Sequence, residues 1–279
     1  MNSTFAQGSL TPFGPPAPSM KTLQQIEPRT PISSLPFTIS TPGSYYLTGS
    51  LESTNSGITV SANNVTIDLM GFTIGGAQDT NHPGIHVAGA TNVMRNVIIR
   101  NGMITRFGIG ILIENTQGGR VHDVAIHQNT AEGIWLRSND PGVCSDVTIE
   151  HCSVTENASY GIFARSETVS RNCRGHTIRN NQISGNYARG VVLIRSEGCV
   201  VDGNTFGPQV PVVDFGAFAV FTGDGRNLVI RNFEHGNTNG FGFAYFRFNG
   251  SDTFGPLIDV TGYLPSTNTA ASPWANFSR

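Results

Sequence analysis

The sequence predicts an all-β solenoid, a parallel β-helix of about seven to eight coils with three strands in each. Three observations predict it. Gly-plus-apolar restarts recur as "SGITV", "GIHV", "GIGILI", "GIWLR", "GIFAR", "GVVLI" and "GAFAV", at Gly57, Gly84, Gly108, Gly133, Gly161, Gly190 and Gly216. Their intervals run from 24 to 29 residues, and unequal spacing around a constant order of parts marks a structural repeat with variable loops. A second register lies inside each interval, as "VTIDLMG", "VIIRNG", "VAIHQN", "VTIEHC", "HTIRNN", "VVDGN" and "LVIRNF". Each unit therefore holds short β-rich runs with period-2 alternation, and no segment has a helical period. Such a unit cannot bury its apolar face alone, but copies stacked at about 4.8 Å can.

Composition agrees with this architecture and excludes several functions. Of 279 residues only 13% are charged, whereas Gly numbers 33 and Pro 15, so turns are many and helices few. The net charge of −2 and the lack of a basic block exclude a nucleic-acid backbone as partner. No apolar run reaches the length of a membrane-crossing helix. One Lys, Lys21, stands against 16 Arg, so any basic catalyst in the coils is Arg or His.

In chain order, 1–20 is Pro/Gly/Ser-rich and reads as a disordered tail without the basic and apolar regions of a signal peptide. The "FAQGS" within it is compatible with a trimmed secretory signal, and a secreted or cell-surface protein is expected. Residues 21–55 form an N-terminal capping segment, in which "PFTISTPGSYYLTGSL" (36–51) covers the open edge. The β-helix takes 56–250, with "FGFAYFRF" (241–248) as its last coil. The remaining 251–279 is a C-terminal capping tail that folds back with Trp274 and Phe277 as covers.

From "TIRNNQISGNYARGVVLI" and "VTIEHCSVTENASYGIFA", the chain resembles the right-handed parallel β-helix proteins of the pectate-lyase-like superfamily over about 57–250. The resemblance implies an Asn ladder in the turn between second and third strands, with Asn129, Asn181 and Asn204 in it and Gly102 and Cys152 departing from it. It also implies a groove on the first-strand face, and it is nearly silent about activity.

Two outward stripes follow. The second-strand stripe reads Asp68, Arg100, His127, Glu150, Arg179, Asp202, Arg231. Its alternating signs favour a self-compensating surface ladder over a catalytic row. The first-strand stripe reads His86, Gly110, Trp135, Phe163, Val192, Phe218, and beside it Ala88, Leu112, Arg137, Arg165, Ile194, Val220, with Glu114, Asn139, Glu167 and Ser196 further out. Aromatic faces stack on sugar rings and Arg pairs with uronate or sulfate. His86, Trp135, Phe163, Glu114 and Glu167 are accordingly the expected substrate contacts; a long loop or a second copy of the chain covering the aromatics is the alternative.

An acidic polysaccharide is the expected partner and β-elimination the favoured reaction, with Arg137, Arg165, His127 and Glu150 as catalytic candidates. A lyase needs a base and a cation for the enolate. A non-catalytic carbohydrate-binding or structural module, of adhesin or fibre type, is the competing class. Hydrolysis needs two carboxylates; Glu150 and Asp202 lie two coils apart, but the paired-Asp motifs of polygalacturonase-like hydrolases are absent. No cofactor is implied, although Glu114, Asn139 and Glu167 offer oxygen ligands of the kind calcium takes. "HPGIH" and "VHDVAIH" do not converge on a zinc site.

Cys144 and Cys173 stand three residues before Val147 and His176. If those positions are equivalent, the two cysteines are one stacking distance apart, within reach of a disulfide in an oxidising compartment. Cys152 and Cys199 are expected as separate buried thiols. Four reduced cysteines serving as small apolar residues is the other reading.

Overall fold

The computed structural model describes residues 27–78, 82–89, 93–168, 173–187, 189–210, 218–223, 225–236, 246–247, 251–255, 257–259 and 273–278. Every regular element among them is a β-strand and every strand pairing is parallel. The first strands of successive coils stack into one nine-stranded sheet, from Phe37–Ile39 to Phe246–Arg247. Second and third strands share a 20-stranded sheet, because Met94–Thr105 and Thr116–His127 each run through the corner between them without a break. The coil count differs slightly from the seven to eight expected, with nine first strands stacked in their sheet.

Alternation produces the core. In Ile134–Ser138 the pattern is buried at Ile134, Leu136 and Ser138 and half-buried at Trp135 and Arg137 between them. The inward residues stack in columns, such as Ile99, Val121, Ile149, Ile178, Val201 and Val229 across successive second strands. All six are at most 3% exposed. At about 25 cal/mol per Å² this apolar column is the main stabilising term.

Two corners are built by Asn. At the second corner, between second and third strands, Asn101, Asp123, His151, Asn180, Gly203 and Arg231 all take positive φ, from 53° to 65°. The next residue turns inward. There Asn181, Asn204, Asn232 and Asn276 pass side-chain amide hydrogen bonds from rung to rung at 2.9–3.1 Å, and the Cys152 N–H donates to Asn181. Gly102 and Cys152 depart from the ladder as expected. Asn129 does not belong to it: Val124 occupies its place, and Asn129 heads a separate ladder with Asn157, Asn186 and Gln209 where the third strand turns into the next coil. The motif "VAIHQN" had been aligned as a second strand, whereas it is a third strand.

The Gly restarts adjoin this other ladder. A Cβ on Gly161 would lie 2.7 Å from the Gly190 carbonyl oxygen and 2.9 Å from Asn186 Nδ2, distances that real Cβ atoms do not reach. Glycine there lets strand entry and Asn ladder share one space. Register corrects two restarts: Gly110, not Gly108, aligns with Gly84, and Ala219, not Gly216, follows Gly190.

Segment 36–52 forms a coil in register with the next, and Thr30–Ile32 adds a strand beyond it. Residues 1–20 lie outside the described residues, as does most of 241–248, whose Phe246–Arg247 pairs with Val220 and Phe221. The C-terminal Asn276–Ser278 does fold back, alongside Phe233–Glu234. Trp274, expected as a cover, is 53% exposed, with the Arg231 guanidinium 5.5 Å over its ring.

All four cysteines are free and buried. Cys144 and Cys173 do stand on adjacent rungs, since Ser145 pairs with Arg174. They are not bridged: the Ser138 hydroxyl accepts the Cys144 N–H at 2.8 Å and lies 3.1 Å from Cys173 Sγ. Burial pushes the Cys173 thiol up to about 11 and those of Cys152 and Cys199 to about 12, so all are inert as nucleophiles near neutrality.

Candidate functional site

The first-strand sheet carries the candidate site. Its register aligns Thr38, Thr59, His86, Leu112, Trp135, Phe163 and Val192 in one outward row. Leu112 and Phe221 therefore take the places assigned to Gly110 and Phe218. The neighbouring row reads Ala88, Glu114, Arg137, Arg165 and Ile194, with Glu114 where Leu112 had been placed. Ser196 belongs to the other sheet, opposite Cys173.

His86 and Glu114 sit diagonally across neighbouring strands, and His86 Nε2 is 2.5 Å from Glu114 Oε2. Arg137 Nε donates to Glu114 Oε1 at 2.8 Å, its Nη2 also reaches that oxygen, and Asn139 Nδ2 adds a bond of 2.8 Å. Burial works to raise the Glu114 carboxyl, but the bonds from His86 and Arg137 outweigh it and hold the group below its ordinary value. Glu114 Oε2 accepts a hydrogen bond from His86 Nε2–H, and in that tautomer Nδ1 is the ring's acceptor nitrogen.

An aromatic step adjoins this cluster. Trp135 stacks on Phe163 at 5.6 Å and 24°, Tyr160 meets Phe163 edge-on at 5.0 Å, and Arg137 lies 4.8 Å over the Trp135 ring. Phe163 is only 5% exposed, so it supports Trp135 from behind. Arg165, half in solvent, pairs with Glu167 at 3.3 Å. Trp135 Nε1 and Arg165 Nε are buried donors without an acceptor, an arrangement that costs about 1–3 kcal/mol each. Tyr160 escaped the sequence reading; its position directly before Gly161 was the available signal.

Of the expected residues, His86, Glu114, Trp135, Arg137, Phe163, Arg165 and Glu167 share this face. His127 does not. It lies on a third strand between Thr105 and Thr155, its Nδ1 3.5 Å from the Thr105 hydroxyl; His122 takes its place in the second-strand row. That row is a chain of ion pairs. Glu150 is 1% exposed and held by Arg179 at 2.6 Å and by Arg120. Burial again opposes ionisation, yet the two guanidinium groups keep Glu150 below its ordinary value. A general acid needs the opposite shift; in this geometry Glu150 is an ion-paired rung of the second-strand row. Arg231 still pairs with Asp202, at 2.7 Å, although Ile230 is the residue opposite it. Calcium fits poorly, because Glu114 and Glu167 are neutralised by Arg137 and Arg165. Among the described residues no group of three His, Cys, Asp or Glu could hold a metal ion.

Stacked parallel coils and Asn-lined corners define a right-handed parallel β-helix protein. The family model "Right handed beta helix region" matches residues 50–206, and the chain belongs to that family. Among solved structures it is similar to ORF18 of Geobacillus virus E2, at TM-score 0.56 and 15% identity, covering 78% of this chain and 49% of that one. It also matches the enzymatically active domain of bacteriophage CBA120 tailspike protein 2, at TM-score 0.49 and 11% identity, covering 75% and 39%. A third match is the Azotobacter vinelandii mannuronan C-5 epimerase AlgE4 A-module, at TM-score 0.36 and 13% identity, covering 70% and 80%. The chain thus spans about half, or less, of the first two structures. No curated protein matches its sequence.

Proposed function

We propose that the first-strand face binds an acidic polysaccharide and that His86 removes a proton from it, with β-elimination as the reaction. The observation that carries this reading is the His86–Glu114 hydrogen bond, set between an Arg-flanked aromatic step and an open face. Glu114 holds the imidazole and its tautomer, Trp135 offers a ring to a sugar, and Arg165, three rungs from His86, meets the carboxylate of another sugar unit. The proton beside the uronate carboxylate passes to His86 Nδ1, and the enolate forms beside the Arg137 guanidinium, which shares Glu114 with His86. The C–O bond to the next sugar then breaks, a C=C bond forms, and the leaving oxygen takes the proton. Such polymers lie outside the cytoplasm, as the protein then does.

The base is therefore His86, not Arg137, whose guanidinium is occupied by Glu114. A second reading, binding without chemistry, is favoured by that same saturation: Glu114 has every oxygen paired within the chain.

Incubation with uronic-acid polymers in D₂O separates these. Unsaturated products are expected, abolished in His86→Gln and reduced about 100-fold in Glu114→Gln. Deuterium incorporation without unsaturation identifies epimerisation instead. Retention in affinity electrophoresis with neither change establishes the binding module, and loss of retention in Trp135→Ala places it on this face.

A further inference from the structure

The row that carries Glu114, Arg137 and Arg165 does not stop at Ala88. Toward the N-terminus it continues one rung at a time through Ser61 and Ser40. Long charged side chains thus give way to three small ones, and the missing volume is an open bowl of about 850 Å³. Its floor is Ser40, Ser61 and Ala88; its wall is the corner leading into the second strands, with Asn63, Asn64 and Arg95.

The wall presents unused donors. Asn63 Oδ1 accepts the Arg95 N–H at 2.8 Å and Asn64 Oδ1 accepts from Asn96 at 2.9 Å. Those bonds orient both side chains through their oxygens and leave both NH₂ groups available. The Arg95 guanidinium is exposed and has no ion pair among the described residues. No aromatic ring lines the bowl, so a ligand there is held by hydrogen bonds and charge, not by stacking. Donor-rich walls with one cation select acceptor-rich rings: hydroxyls and a carboxylate.

We propose that this bowl is a second saccharide subsite, for a uronate ring whose carboxylate meets Arg95, and that the polymer lies along the solenoid axis. The proposal rests on the reading of the first-strand face as a polysaccharide site and extends it. Five rungs separate Ser40 from Arg165, about 24 Å at the coil spacing, which is the length of an oligosaccharide, not of one or two rings. The face then has a direction: hydroxyl-lined at Thr38, Thr59, Ser40 and Ser61, reactive at His86 and Glu114, aromatic at Trp135. Chain length becomes the specificity determinant.

Calorimetric titration with oligogalacturonates and oligomannuronates, from dimer to octamer, tests it. Wild-type affinity is expected to rise with length until the bowl is filled. Arg95→Ala is expected to lose about tenfold for the long oligomers and nothing for the dimer, with Arg95→Lys partly restoring it. Trp135→Ala is expected to weaken every length. A length profile in Arg95→Ala that follows wild type, with Trp135→Ala still impaired, overturns the subsite alone. Absence of wild-type binding at every length overturns both the subsite and the reading beneath it. Thermal melting of Arg95→Ala within a degree of wild type shows that folding is intact, as an exposed side chain at a corner requires.

Discussion

At the scale of single residues, burial moves the titration of a group that the core encloses. His176 is wholly buried in the core, its Nδ1 3.3 Å from the Val147 N–H and its Nε2 without a partner. Burial lowers its pKa from 6.5 to about 4. The unfolded chain therefore takes up a proton first as pH falls: the contribution of His176 is intact above 6.5 and is lost progressively down to about 4. The loss is about 3 kcal/mol. Urea unfolding at pH 7 and pH 5 is expected to show this slope, and His176→Asn is expected to flatten it. Asn227, two rungs on, already makes the equivalent backbone bond, accepting the Cys199 N–H at 3.0 Å. An unchanged slope between pH 7 and pH 5 in His176→Asn would overturn this assignment, because Glu150 and Glu114, with lowered pKa values, act only below the ordinary carboxylate range. The sequence marked His176 only as a member of "HTIRNN"; nothing in one residue reveals that its ring points inward.

Among the elements, strands and corners carry different shares of stability. A strand residue buries apolar surface, whereas a corner must satisfy backbone groups that no sheet reaches. Asn204 accepts from the Asn181 N–H and Nδ2 and donates to the Ile178 carbonyl and to Asn232, all at 2.9–3.0 Å. Asn204→Ala removes the acceptor of the Asn181 N–H, one of the two acceptors of Asn181 Nδ2 and a donor to the Ile178 carbonyl, and is expected to cost about 3 kcal/mol in urea unfolding. Gly161→Ala is expected to be at least as damaging, because the clash falls on backbone at Gly190; a melting temperature within two degrees of wild type would remove glycine from the account of the repeat. Strands were legible from alternation, and the Gly restarts from recurrence. The two ladders were confused because "IHQN" and "IEHC" look alike, while one ends a third strand and the other a second.

For the whole molecule, far-UV circular dichroism is expected to show a β spectrum with helix far below the globular average of about one third. Each coil contacts only its neighbours, so stability is a sum of local interfaces. The sequence by itself determined the architecture: period-2 runs that cannot bury themselves singly must stack, and the recurring restarts mark a solenoid. It also determined that Trp135, Phe163, Arg137 and Arg165 share a face, since their motifs align without a gap. The tertiary structure alone decided what those residues touch. Glu114 entered the row beside Arg137 because Gly110, not Gly108, opens its strand, and a shift of two residues along a strand keeps the face but changes the neighbour. That shift brings Glu114 to His86 and Arg137, leaves His127 on another face, and places Ser40, Ser61 and Ala88 in line with the charged row. Pairing across rungs depends on loop lengths summed over whole coils, a long-range quantity that no local pattern in the chain expresses.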